Sequence, residues 1–233
     1  MSGKLYIVST PIGNYGDMTY RAVETLRSVD LIACEDTRKT GILLKHFEIE
    51  GKLFSYHDHN ENFKTEVLVQ RLLAGENVAV VSDAGTPCIS DPGYKVVRAA
   101  RENGIAVVGV PGACAAVNGL VVSGIPTDSF VFEGFLPHKK GRSTKLKEIV
   151  EEKKTIILYE SVHRIEKLLS ELSELIPDRR ICVMREMTKI YEEHICGLPG
   201  EVLPELRKKS LKGEFVVVIE GFSGKVKNKI QEF

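Results

Sequence analysis

The chain has no tryptophan and is thin in other aromatics, with Phe and Tyr making up 7% of its 233 residues. A zinc knuckle and the aromatic stacking motif of RNP-type RNA binders are both missing, so any nucleic acid would be recognised by shape and a displaced nucleotide. Net charge is missing too: 32 basic and 32 acidic side chains balance, which excludes attachment to a polyanion by bulk charge alone. The five cysteines, Cys34, Cys88, Cys114, Cys182 and Cys196, are odd in number and scattered. That spacing argues against a disulfide framework or metal cluster and predicts reduced, buried thiols in a cytoplasmic protein. Met1 leads directly into a strand candidate, without a signal peptide or an apolar run long enough to span a bilayer, so no membrane role is expected. Neither G-x-G-x-x-G nor G-x-x-x-x-G-K-S/T occurs, and no heptad or short repeat is present. These absences disfavour a dinucleotide-binding oxidoreductase, a P-loop enzyme and a coiled coil.

What is present is a 43% hydrophobic composition, enough for real cores, and a regular alternation of strand and helix signals. Apolar runs at Leu5–Val8, Leu31–Cys34, Leu53–Ser55, Val78–Val81 and Ala106–Val110 are separated by helically spaced segments such as Arg21–Val29 and Val67–Leu73. A second series follows at Phe130–Phe135, Ile156–Tyr159, Ile181–Met184, His194–Cys196 and Phe215–Ile219, its last strands close enough for antiparallel pairing. The expected fold is two α/β domains, 1–123 with a mainly parallel sheet and 124–222 with a mixed one, joined at the Gly/Pro/Asp stretch Ser123–Asp128. Residues 223–233 read as a Lys-rich tail, with lysines from Lys225 to Lys229.

Three small-residue loops follow strands: Ser9–Asn14, Ser82–Gly93 and Pro111–Ala116. Strand ends of this kind are where open α/β sheets bind ligands, and glycines there admit close backbone approach. No basic residue accompanies these loops to neutralise a phosphate, which points to a ligand held by backbone groups. S-adenosylmethionine, an adenosine with a zwitterionic amino acid and a sulfonium, fits. The Pro-Gly-Ala-Cys-Ala-Ala sequence makes Cys114 a small apolar wall rather than a nucleophile, since nothing nearby lowers its pKa.

Seven loops carry a resemblance: Ser9–Asn14, Ala33–Arg38, Ser55–Glu61, Ser82–Gly93, Pro111–Ala115, Glu133–Pro137 and Arg185–Lys189 occur in the order found in the ribosomal RNA branch of the tetrapyrrole methylase superfamily. From about Lys4 to Phe222 the chain resembles that branch, whose members commonly continue into a small helical segment. The resemblance implies S-adenosylmethionine-dependent methylation of a cytidine ribose 2′-hydroxyl in the decoding region of small-subunit (16S) ribosomal RNA. It implies a homodimer, and an active site in the cleft between the two domains. It implies cofactor contacts from Pro11, Ile12, Gly13, Asp83, Gly85, Thr86, Ile89, Gly112, Ala113, Cys114 and Ala115, with Tyr159, Met184, Gly213 and Glu214 added by the second domain.

Methyl transfer to a hydroxyl needs alignment, a dry pocket and a proton acceptor. Strand-end placement nominates Asp36, Glu186, Glu35, His57 and Glu61 for the last role, with Asp36 equally suited to capping a helix begun at Thr37. The His57/His59 pair lacks a third ligand, and no metal is expected. From Pro137 to Lys154 seven Lys/Arg face Glu148, Glu151 and Glu152, a local excess suited to phosphates or to a solvated face. Lys139, Lys140 and Arg142, with Arg38, Arg164, Arg185 and Lys189, are the RNA-binding candidates. The competing functions are a corrinoid or porphyrinoid carbon methyltransferase on the same scaffold, an oxidoreductase, and a non-enzymatic adenosine-binding module.

Overall fold

The computed structural model describes residues 1–209 and 211–224, so the expected Lys225–Lys229 tail lies outside the described residues. The chain divides into two compact units, Met1–Cys114 and a second from Ala115 onward.

In the first unit β1 (Lys4–Val8), β2 (Leu31–Cys34), β3 (Leu53–Ser55), β4 (Val78–Val81) and β5 (Ala106–Val110) form one sheet in the order β3-β2-β4-β1-β5, every pair parallel. Between them run α1 (Tyr20–Ser28), α2 (Thr37–His46), α3 (Glu61–Leu73) and α4 (Tyr94–Glu102). A strand covered on both faces must be apolar at every position, and β4, Val-Ala-Val-Val, is buried throughout. Its period of two divides the core. Val78 and Val80 pack with Leu5, Leu68, Leu72 and Val96, while Ala79 and Val81 pack with Val8, Leu26, Ile32 and Leu44. Five parallel strands also send all their carboxyl-terminal loops to one edge of the sheet.

The second unit contains α5 (Ala115–Val122), β6 (Phe130–Phe135), α6 (Arg142–Glu151), β7 (Thr155–Ser161), α7 (Ile165–Leu175), β8 (Ile181–Arg185), β9 (Glu193–Gly197), α8 (Pro199–Arg207) and β10 (Glu214–Ile219). Its sheet, β6-β7-β10-β8-β9, is mixed as the close spacing of the late strands predicts: only β6 and β7 are parallel. One face buries Ile156, Leu158, Val217 and Ile219 under Leu168, Leu169, Leu172, Val202 and Leu206 of α7 and α8. Helix α5 lies on β10 and β7. Gly119 permits that approach, since a Cβ there would stand 2.8 Å from Val216 Cγ1 and 2.9 Å from Met184 Cε. This packing puts α5 in the second unit, so the division falls after Cys114 rather than within Ser123–Asp128.

The expectation of five free thiols is corrected. Cys182 and Cys196 are register partners on β8 and β9 and form a disulfide, leaving Cys34, Cys88 and Cys114 free. The sequence hides the pair because only the antiparallel register of these strands brings its members opposite each other. Among the described residues no helix is long and apolar enough to cross a membrane.

Candidate active site

Three strand-end loops of the first unit are laced into one floor. Thr10 and Gly85 exchange backbone hydrogen bonds, Thr10 N to Gly85 O at 2.9 Å and Gly85 N to Thr10 O at 3.1 Å. The hydroxyls of Ser9 and Thr86 meet at 2.9 Å, and Thr86 Oγ1 donates to Ala113 O at 3.0 Å. Side chains would spoil this floor. Gly85 has φ +83° with Ile12 Cγ2 3.2 Å from where a Cβ would be, and a Cβ on Gly112 would meet Ser9 Cβ at 2.8 Å. Gly13, Pro11 and Ile12 continue the first loop, and Ile89 stands partly exposed in the second. The second loop holds two non-glycine residues in the left-handed region, Cys88 (φ 72°) and Ser90 (φ 64°). Such strain persists only where the surroundings fix it, and it concentrates at functional sites.

The acidic groups at this edge differ in state. Asp36 is the N-cap of α2: Oδ1 accepts from Arg38 N at 2.8 Å, and Arg38 grips the carboxylate through Nε and Nη2. That guanidinium, with the capped amide, pulls its pKa down to about 2. Asp83 accepts from Asp36 N at 3.1 Å and pairs with Lys39 at 2.7 Å, so it is tied to the loop after β2. Glu35 is pushed up, by burial first and then by Asp83 and Asp58. Asp91 is pushed up to about 6 by burial and Glu35, with Ser82 offsetting part of the rise. Asp91 is not among the proton acceptors that strand-end placement nominates. The available signal was its place as the second acid, after Asp83, of the Ser82–Gly93 loop.

In the loop after β3, His57 N donates to Asn60 Oδ1 (2.9 Å), and its Nε2 meets Asn60 Nδ2 at 2.9 Å. The rings of His57 and His59 are 6.0 Å apart. Among the described residues no group of three His, Cys, Asp or Glu side chains is placed to hold a metal. Glu61 is buried with Tyr56, Gly93 and Lys95 as partners.

In the second unit Tyr159 OH accepts from Ala116 N at 3.0 Å, next to Ala115 at the start of α5, with Phe132 and Phe135 edge-on to its ring. Met184 is fully buried. Glu186, at φ 52°, lies over Gly213, where a Cβ would come within 2.5 Å of its Cγ. Its Oε1 accepts from Lys189 Nζ (2.8 Å) and Glu214 N (3.1 Å). Burial raises its pKa, but Lys189 and that amide prevail and hold it below the usual carboxylate range.

Three of the basic candidates are corrected to internal struts. Arg142 is buried, bound to Glu171 at 2.6 Å and to Pro137 O at 3.3 Å. Arg164 pairs with the fully buried Glu160 and donates to Leu136 O. Arg185 is bound to Glu193, Lys212 O and Tyr191 O. A guanidinium has five donors, and these are turned inward. Lys139 and Lys140 are exposed, Arg38 has an 88% exposed side chain, and Lys189 is engaged by Glu186 and Glu214.

A family model described as tetrapyrrole (corrin/porphyrin) methylases matches residues 4–202. The chain is 52% identical over 224 residues to the ribosomal RNA small subunit methyltransferase I of Escherichia coli, covering 94% of this chain and 78% of that protein. It is 48% identical to the protein of that name from Halalkalibacterium halodurans, over 96% and 78% of the two chains. Solved structures share the fold at low identity. A diphthine synthase superposes with TM-score 0.72 at 14% identity, covering 94% of this chain and 90% of its own. A Thermus thermophilus uroporphyrin-III C-methyltransferase complexed with S-adenosylhomocysteine gives 0.63 at 18%, covering 94% and 97%.

Proposed function

The chain belongs to the tetrapyrrole methylase family, and on that premise we propose that it transfers the methyl group of S-adenosylmethionine to a cytidine ribose 2′-hydroxyl in the decoding region of small-subunit ribosomal RNA. The observation that carries this reading is the 52% identity, over 94% of the chain, to a protein named ribosomal RNA small subunit methyltransferase I. The floor made by Thr10, Gly85, Thr86 and Ala113 supports it, because Gly85 and Gly112 let the three strand-end loops close on one another where a Cβ would meet Ile12 or Ser9, leaving backbone groups at the strand ends.

When bound, the cofactor supplies an electrophilic methyl on a sulfonium, which leaves as a neutral thioether. The first-unit loops, from Pro11–Gly13, Asp83–Ile89 and Gly112–Cys114, would hold it by backbone groups. The chain must also take the hydroxyl proton. Glu35 and Asp91 suit that task better than Asp36, Glu61 or Glu186, whose carboxylates are held ionised by ion pairs and amides. His57 stays a candidate through its ring. Lys139 and Lys140 are exposed to meet RNA phosphates, and Arg38, though paired with Asp36, keeps an exposed side chain.

The same proposal includes a homodimer acting in the cytoplasm, supported by the exposed Val117, Val121 and Val122 on α5. Small-subunit particles from a strain lacking the modification, incubated with the protein and S-adenosylmethionine, should gain a methyl on one cytidine ribose by mass spectrometry. Particles that stay unmethylated, or a methyl on a base, would overturn the reading.

A further inference from the structure

Glu61 is 6% exposed at the first residue of α3. Both oxygens of its carboxylate are engaged by the protein. Oε1 accepts from Gly93 N at 3.1 Å and from the Tyr56 hydroxyl at 3.1 Å, and Oε2 meets Lys95 Nζ at 3.0 Å. Burial raises its pKa, but the Gly93 amide, Lys95 and Tyr56 together hold it below the usual carboxylate range. An ionised, enclosed carboxylate of this kind is an acceptor for fixed donors rather than a relay for a substrate proton.

Gly93 is where the Ser82–Gly93 loop becomes α4. It has φ +135°, and a Cβ there would stand 2.7 Å from Cys88 Sγ. Cys88 N donates to Pro92 O at 3.3 Å, so the segment between them is a closed turn containing the left-handed Cys88 and Ser90. The Glu61–Gly93 bond grips the end of this strained turn from a different element, α3. A donor buried without its acceptor is costly, so the carboxylate and the turn hold each other.

We infer that Glu61 is a positioning residue: through the Gly93 amide it sets the Cys88–Pro92 turn, and thereby the affinity of the loop for S-adenosylmethionine. This rests on the reading of Ser82–Gly93 as a cofactor loop. Reach, not charge, is the property it needs.

Two variants separate those properties. Glu61→Gln keeps the reach and an acceptor oxygen while losing the charge; Glu61→Asp keeps the charge and is one methylene short. Calorimetry with S-adenosylhomocysteine should place Glu61→Gln within about 3-fold of the wild type and Glu61→Asp weaker by roughly 10-fold or more. At saturating cofactor both should keep kcat within about 3-fold, the effect lying in KM. Hydrogen exchange of the Gly93 amide should speed up in Glu61→Asp alone. Wild-type affinity in Glu61→Asp, or equal losses in both variants, would overturn the inference. A wild type that fails to bind S-adenosylhomocysteine would sink the methyltransferase reading instead, and the Gly93 exchange rates would still decide whether Glu61 sets the turn.

Discussion

Asp91 is poorly placed to carry charge, with burial and the neighbouring Glu35 raising its pKa from 3.8 to about 6. A proton acceptor for a hydroxyl has to be deprotonated to work, so activity should rise as pH passes through about 6 and level off above it. In Asp91→Asn that acidic limb should vanish and kcat fall by roughly 100-fold, while cofactor affinity stays unchanged. Stability should move the other way. Because the folded pKa lies above the unfolded one, this group stabilises the protein below about pH 4 and that contribution is lost as pH rises through about 6. Asp91→Asn should therefore melt at a higher temperature than wild type at pH 8, measured by calorimetry. A variant with normal turnover and an intact acidic limb would remove Asp91 from the chemistry and leave Glu35 and His57. The sequence hid this group for a physical reason. Asp36 and Asp91 both follow strands and look alike, yet Arg38 stands two residues from one, whereas the other's neighbours arrive from separate loops.

At the level of elements, the strands were the most readable feature. Leu31–Cys34, Leu53–Ser55, Val78–Val81, Ala106–Val110 and Phe130–Phe135 have the bounds expected from their apolar runs; in β2 and β4, buried at every position, no polar residue blurs the edges. Helix α3 was less readable: its apolar spacing starts at Val67, but the helix starts at Glu61, whose buried side chain is polar. The Cys182–Cys196 pair depended on a register that no single strand records. Loop conformations were visible only where glycine marked them. Gly85 is such a place, and the structure adds a second reason to the close approach of a ligand: at φ +83° any side chain is strained, and Ile12 already stands at 3.2 Å. Gly85→Val should cost about 1–2 kcal/mol or more in chemical denaturation. It should also abolish S-adenosylhomocysteine binding in calorimetry. Retained binding would mean that the Thr10–Gly85 bridge is not part of the cofactor floor.

For the molecule as a whole, two surfaces carry the remaining predictions. Val121 of α5 is 63% exposed beside Val117 and Val122, a face too apolar for a monomer's solvent side if it is large enough. Light scattering should report twice 25.9 kDa, and Val121→Glu should shift the protein toward the monomer; a wild-type monomer would leave that face unexplained. The other surface is basic, and burial separates members that the sequence groups together. Lys139 and Lys140 are exposed, whereas Arg142 beside them is sealed against Glu171. Replacing both lysines with alanine should weaken binding to the small subunit and reduce the slope of log affinity against log salt by up to about two, with stability and cofactor affinity unchanged. Arg142→Ala should do the opposite in kind. It leaves Glu171 with only Lys167, at 4.0 Å, and the Pro137 carbonyl without its donor, a loss of roughly 2–3 kcal/mol, toward the lower end for buried pairs because Glu171 keeps some contact with water. Its salt slope, measured on the folded fraction, should match wild type. If Arg142→Ala lowers the slope as one lysine does and leaves the denaturation midpoint in place, the guanidinium turns outward on RNA. The basic segment would then act as three phosphate contacts rather than two and a strut.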